Sequence, residues 1–161
     1  MLEIEKTFLV KTIPTSLTSY KSFKIKQGYL SSSSAALRIR QKGDKYEFTK
    51  KIQLDINDKS TYEETNIFLT EEEFNKLWPF VEKSLEKTRY LIPLENNLTA
   101  ELDIYSGALT GFAVVEVEFP DRESMDAFVA PDWFGPDITQ KDFSSNFFLA
   151  GKSYQDIANY L

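Results

Sequence analysis

Acids and bases recur in this chain in pairs two residues apart. The acid pairs are Glu3/Glu5 and Glu116/Glu118, and Asp103 follows Glu101 at the same spacing. The basic pairs are Arg38/Arg40 and Lys87/Arg89, with Lys51 standing alone. Carboxylates gathered in one place hold a hard divalent cation such as Mg²⁺, Mn²⁺ or Ca²⁺. Fixed guanidinium groups grip planar or tetrahedral oxyanions through two bonds at once. The chain has no histidine and no cysteine, which removes Ser-His-Asp triads, histidine general bases, thiolate nucleophiles and His- or Cys-ligated metals. A formal net charge of −6 argues against a nucleic-acid surface built on bulk basicity.

A two-residue spacing puts paired side chains on one face only if the segment is extended. The local sequence agrees. Val114-Val115-Glu116-Val117-Glu118-Phe119 alternates β-branched and acidic residues, and Leu2-Glu3-Ile4-Glu5 does the same. Strands are predicted over 2–10, 23–30, 36–41, 46–52, 61–69, 85–92, 98–105 and 112–119. Lys42-Gly43-Asp44-Lys45 and Ser106-Gly107 read as turns, and Ser31–Ser34 as a polar loop. Thr70-Glu71-Glu72-Glu73 is a capping box that opens a helix burying Phe74, Leu77, Trp78 and Val81, which Pro79 kinks or ends. Helical character returns at 121–129, 145–150 and 153–161, around an aromatic loop at Pro131–Pro136. No second domain, linker or long-period repeat is visible, so residues 1–161 read as one domain.

The parity of the charges is the informative feature. One parity of the strands carries Glu3, Glu5, Lys24, Lys26, Arg38, Arg40, Lys51, Glu63, Lys87, Arg89, Asp103, Glu116 and Glu118. The other parity is consistently apolar. The predicted fold is α+β: a closed, eight-stranded antiparallel β-barrel, with the charges lining a tunnel and helices covering the apolar outside. Burying so many ions is prohibitive unless they are paired or hydrated. A wet lumen holding a polyanion and a divalent cation satisfies both signs. The competing arrangement is an open sheet with its charged face in solvent. The segregation of bases from acids counts against that, because an ordinary wet face mixes signs across strands.

Taken in order, these segments resemble the CYTH superfamily, the triphosphate tunnel metalloenzymes. The carrying pieces are Glu3-Ile4-Glu5 with Phe8-Leu9-Val10; Gln27-Gly28-Tyr29-Leu30; Leu37-Arg38-Ile39-Arg40; Thr49-Lys50-Lys51; Glu86-Lys87-Thr88-Arg89-Tyr90; Glu101-Leu102-Asp103; Val115-Glu116-Val117-Glu118; and Trp133-Phe134-Gly135. No one piece is specific, but the ordered set is. The resemblance implies hydrolysis of inorganic triphosphate or a related triphosphate with Mg²⁺ or Mn²⁺. It implies Arg38, Arg40, Lys51, Lys87 and Arg89 on the phosphates, and Glu3, Glu5, Glu63, Asp103, Glu116 and Glu118 on the metal and its water. Glu5, Lys51 and Tyr29 take the catalytic roles, although tyrosines on strands are ordinarily packing residues. The short form of the chain is similar to bacterial inorganic triphosphatases.

Three departures stand out. The family opens Glu-x-Glu-x-Lys, and here the fifth position is Thr7, with Lys6 sent to the opposite face. The fifth strand of relatives often reads Arg-x-Glu-x-Glu, and here the positions are Thr61, Glu63 and Thr65. A basic-Tyr-x-Asn run near the C-terminus is replaced by Phe143-Ser144-Ser145-Asn146. These losses keep two other readings open: a non-catalytic polyphosphate- or nucleotide-binding module, and an adenylate cyclase of class IV type. The expected partner is a small triphosphate-containing molecule, with no nucleic acid and no membrane. No apolar run approaches the roughly 20 residues of a membrane span. No basic-then-apolar signal pattern opens the chain. A cytoplasmic location suits a chain without cysteine. Relatives are often dimeric, which makes a homodimer an expectation of the resemblance.

Overall fold

A computed structural model describes all of residues 1–161. Its strands are β1 (Leu2–Val10), β2 (Lys21–Tyr29), β3 (Leu37–Lys42), β4 (Lys45–Asp55), β5 (Asp58–Leu69), β6 (Lys83–Pro93), β7 (Thr99–Tyr105), β8 (Ala113–Phe119) and β9 (Phe134–Asp137). The helices are short: α1 (Glu71–Leu77), α2 (Arg122–Asp126), α3 (Asn146–Leu149) and α4 (Tyr154–Ile157). Around the sheet the order is β5-β4-β3-β2-β6-β7-β8-β1, and a β5–β1 pairing closes it into an eight-stranded antiparallel barrel. The predicted closure is therefore present.

β9 was expected as an aromatic loop. It pairs instead with Phe8–Val10 of β1, the half of β1 that does not pair with β5. Its residue Gly135 sits against Leu9, where an added Cβ would come 3.0 Å from the Leu9 carbonyl oxygen. The absence of a side chain at this position is what lets the ninth strand approach. The capping box at α1 is formed in both directions: the Glu73 N–H donates to Thr70 Oγ1 at 3.2 Å, and the Thr70 N–H donates to Glu73 Oε1 at 3.0 Å.

Two apolar clusters hold the barrel, and they lie on opposite sides of its wall. The outer one joins Ile4, Phe8, Leu102, Val115, Val117 and Phe119 to Met125 of α2 and Phe134 of β9. That is the predicted arrangement, apolar parity outward beneath covering elements. The second was not predicted. It joins Tyr29, Leu85, Tyr105 and Val114 to Phe143, Leu149, Ala150 and Ile157 of the C-terminal segment. Leu85 shares a face with Lys87, Tyr105 is the cross-strand partner of Lys87, and Val114 is that of Asp103, so these apolar groups point inward. The C-terminal segment thus packs against the inner wall where β2 and β7 end and β6 and β8 begin.

Two strands have a different inward face from the one their sequences suggested. On β2, Tyr29 pairs with Arg38, Gln27 with Arg40 and Ile25 with Lys87, which turns Ile25, Gln27 and Tyr29 inward. Lys24 and Lys26 are therefore outside the lumen, with Lys26 Nζ lying 4.2 Å from the centre of the Trp78 ring. On β5, Glu64 pairs with Lys51 and Tyr62 with Glu3, while Glu63 pairs with Ile52 and Leu2. Glu63, Thr61 and Thr65 face outward, and Tyr62, Glu64 and Asn66 face the lumen. The reason is that both parities of Thr61–Asn66 are polar, so alternation names no face and the neighbouring strands set the register.

Candidate active site

The barrel encloses a cavity of about 670 Å³. At one side of it β1 supplies Glu3 and Glu5, and β8 supplies Glu118 directly across from Glu5. One carboxylate oxygen from each of the three lies within 4.8 Å of the others. The donors are all carboxylate oxygens, which fits a hard divalent cation and not one that favours nitrogen or sulfur. Burial and the crowd of like charges act together here. Burial first, then the neighbouring Glu101, Glu3, Glu5 and Glu116, push the Glu118 carboxyl up to about 7. Burial also raises Glu3 and Glu5, against the lowering effect of Lys51.

Lys51, on β4, is the base amid these acids. Its Nζ lies 3.0 Å from Glu3, 3.2 Å from Glu5 and 3.9 Å from Glu64. Burial disfavours its charge, but Glu5 and then Glu3 outweigh that and hold the ammonium above its ordinary range. Arg38, on β3, meets Glu64 at 3.4 Å through Nη2. Its Nε is buried with no hydrogen-bond partner. Arg38 lines the cavity, and a guanidinium there with a donor the protein leaves unused suits an oxyanion ligand. Arg40 is held by Glu47 through two bonds of 3.1 and 2.9 Å.

On the opposite wall the charges are locked to one another. Arg89 on β6 grips Asp103 on β7 with Nε and Nη2, both at 2.7 Å, and Nη2 also reaches Glu116 at 2.7 Å. Its Nη1 bonds Glu101. Lys87 donates to Asp103 at 2.5 Å and to Asn146 Oδ1 at 3.3 Å, and the Tyr105 hydroxyl donates to the same Asn146 oxygen at 2.5 Å. Burial works against the Asp103 charge, but Arg89 and Lys87 overcome it and hold the carboxyl down at about 2. Arg89 and Lys87 likewise hold Glu116 below its ordinary range against burial.

Of the residues singled out in the sequence, Glu3, Glu5, Arg38, Arg40, Lys51, Lys87, Arg89, Asp103, Glu116 and Glu118 all face this interior. Glu63 does not, and Glu64 takes its place. Asp103 and Glu116, expected on the metal, are engaged by Arg89 instead. Tyr29 lies inside, its hydroxyl accepting from Gln27 Nε2 at 3.1 Å and its ring edge-on to Phe147 at 5.2 Å. Thr7 is buried and lines the cavity, as alternation predicted, and its N–H donates to Thr139 Oγ1 at 3.0 Å. Lys6 points the other way, toward Asp137. Sequence reasoning assigned no role to Glu64, Glu47, Glu101 or Asn146. Glu47 and Glu101 shared the charged parity and could have been found by asking which acids face the bases. Glu64 carried no such signal.

No protein-family model matches the sequence. The chain is 36% identical over 153 residues to the inorganic triphosphatase of Nitrosomonas europaea, covering 93% of this chain and 97% of that protein. A crystal structure of an inorganic triphosphatase superposes with a TM-score of 0.67 and 34% identity, covering 92% of this chain and 93% of the other. A crystal structure from Bacillus halodurans, described as an adenylate cyclase candidate, shares the fold with a TM-score of 0.54. Its identity is 20%, covering 77% of this chain and 83% of that one.

Proposed function

This chain belongs to the family of the Nitrosomonas europaea inorganic triphosphatase, within the CYTH superfamily, and from that premise we propose that it is a phosphoanhydride hydrolase acting on inorganic triphosphate inside its β-tunnel. The observation that carries the reading is the conjunction in one cavity of a three-carboxylate cluster and the unpartnered guanidinium donor of Arg38. A hydrolase of a polyanion needs those two things side by side.

Glu3, Glu5 and Glu118 would hold the divalent cation, Mg²⁺ or Mn²⁺. When bound, that cation supplies charge neutralisation for the phosphoryl oxygens and lowers the pKa of water. Arg38, which lines the cavity, would hold a phosphate oxygen through its guanidinium. Arg40 and Lys51 add positive charge along the same side of the cavity. Arg89 and Lys87 are held in one orientation by Asp103, so they need no rearrangement when an anion arrives. Glu5 orients a water for attack, since its carboxylate faces the cavity. Tyr29 and Arg38 face one another across β2 and β3, which lets the hydroxyl steady the guanidinium.

Thr7 favours a second reading, a module that binds triphosphate without turnover, because the lysine of the family signature is missing there. One panel separates the readings: phosphate release with Mg²⁺ and with Mn²⁺ from tripolyphosphate, ATP and thiamine triphosphate. The expected result is orthophosphate and pyrophosphate from tripolyphosphate. Cyclic nucleotide with pyrophosphate from ATP would overturn hydrolysis in favour of cyclisation. Tight binding of tripolyphosphate without release would leave the binder. A cytoplasmic location and a homodimer belong to the same proposal, and light scattering after gel filtration reads the second. No helix is long and apolar enough to cross a membrane.

A further inference from the structure

Lys51 occupies a position that two ligands compete for. Its ammonium touches Glu3 at 3.0 Å and Glu5 at 3.2 Å, two of the three carboxylates that converge for a cation. Both carboxylates are half-buried, so a divalent ion entering among them would meet a resident positive charge. A cation that takes those oxygens competes with the ammonium for them and repels it. Its neighbours mark the direction of that movement. Glu64 lies 3.9 Å from Lys51 Nζ and 3.4 Å from Arg38 Nη2, so it bridges the two bases. Arg38 sits opposite Thr49, which is the next same-face residue to Lys51 on β4. The four-carbon stem of a lysine swings its head over such a distance at little cost, which a planar guanidinium fork does not do.

We propose that Lys51 is a metal-gated phosphate ligand, held by Glu3 and Glu5 in the metal-free protein and released toward Arg38 and the triphosphate when a cation takes those carboxylates. The inference rests on the reading of Glu3, Glu5 and Glu118 as the metal ligands. One side chain then couples the two sites: the cation strengthens triphosphate binding by freeing a base, and by reciprocity the triphosphate strengthens cation binding by drawing that base away. The anion site is fully armed only when the metal is present, which guards against unproductive capture of free polyphosphate.

The test is a thermodynamic cycle read by titration calorimetry. The probe is an imido analogue of tripolyphosphate that resists hydrolysis, titrated with and without Mg²⁺ into the unaltered protein and into Lys51→Met. Without Mg²⁺ the variant should bind the analogue only a few-fold more weakly, the effect of losing one positive charge beside the cavity. With Mg²⁺ it should bind about tenfold more weakly or worse, the scale of one charge-assisted contact. Mg²⁺ alone should bind the variant more tightly, because the competitor is gone. A loss of the same size with and without Mg²⁺ would show that Lys51 is always on the phosphate and would overturn the gate. A folded-state control that needs no methionine variant uses the ¹³Cε resonance of Lys51, identified by its absence in Lys51→Arg. It should shift in the unaltered protein on adding Mg²⁺ alone, and an unmoved resonance at saturating Mg²⁺ would overturn the proposal. If Mg²⁺ neither binds nor alters analogue binding, the metal reading itself fails, and the gate fails with it.

Discussion

The two walls of the tunnel use the same residue types for opposite purposes. On the wall of β6, β7 and β8, Arg89 and Lys87 face Asp103, Glu116 and Glu101, and nearly every donor has an acceptor. On the side of β1, β4 and β5, Lys51 stands among Glu3, Glu5 and a Glu64 that it shares with Arg38, with Glu118 nearby. The first cluster is nearly matched, two bases against three acids. The second has surplus negative charge. Matched ions in a protein interior fix geometry, while an unmatched set holds free energy that only an incoming ion of opposite sign can release. The contrast separates a preset wall from an unfilled one within a single cavity.

The largest expected effect tests the matched side. Asp103→Asn leaves Arg89 and Lys87 buried without their shared carboxylate, and unfolding by denaturant should show a loss of about 3–5 kcal/mol. A loss under about 1 kcal/mol would mean that the cluster is solvated and is no scaffold.

Arg38 comes next. Arg38→Ala should weaken binding of the tripolyphosphate analogue by roughly 2–5 kcal/mol by calorimetry, and it should lower the melting temperature as well, because the buried Glu64 carboxylate loses a partner. Unchanged affinity would remove the anion site from β3 and blur the division between the walls.

Thr7 sits on the cavity opposite Glu116 of β8, between the two clusters. Thr7→Lys should tighten analogue binding by roughly 1–3 kcal/mol and, in a catalytic tunnel, raise turnover. Steady-state kinetics beside calorimetry checks both. Tighter binding with no phosphate release would mark a binder. A variant that melts earlier and binds no better would show that the added ammonium finds no partner there.

The smallest effect is a pH dependence on the unmatched side. The Glu118 carboxyl is raised to about 7 in the fold, above its ordinary value of 4.5. The folded state therefore holds a proton there that the unfolded chain has already released. Its contribution to stability is full below the unfolded value and is lost as pH rises through about 7. In metal-free buffer the melting temperature of the unaltered protein should fall across that window relative to Glu118→Gln. Asp103 has the opposite sign: its stabilisation is present above the ordinary carboxylate value and is lost only as pH falls toward about 2. Parallel melting curves for the unaltered protein and Glu118→Gln from pH 5 to pH 8 would sink the claim of surplus charge.

What could be read from the sequence follows the same division. Alternation identified the inner face of β1 and β8 because valines and leucines stand against glutamates there, and the two faces could not be confused. It misplaced Glu63, because β5 is polar on both faces and only its neighbours decide which looks inward. It misplaced Lys24 and Lys26 for a different reason: the lumen side of β2 is Ile25, Gln27 and Tyr29, an inward face that is partly apolar. That inversion was invisible because the element that makes apolar lumen residues acceptable, the C-terminal segment with Phe143 and Leu149, is far away in the chain. Closure, the antiparallel order of charges and the inward aim of Thr7 followed from local pattern. The packing of the C-terminal segment against the inner wall did not, because it depends on a long-range contact between two short apolar clusters.

The position of β1 in the barrel also governs how the chain comes off the ribosome. β1 is made before the other eight strands, yet two of its hydrogen-bonded neighbours are β8 and β9, more than a hundred positions downstream. Pairings this distant in sequence form late, because the intervening chain must be ordered before they are rewarded. Until Phe119 has emerged, β1 and β7 each present a raw strand edge with nothing to seal it. A chain stalled or cut before β8 therefore carries two sticky borders, and its hazard is sheet-to-sheet aggregation with its own copies.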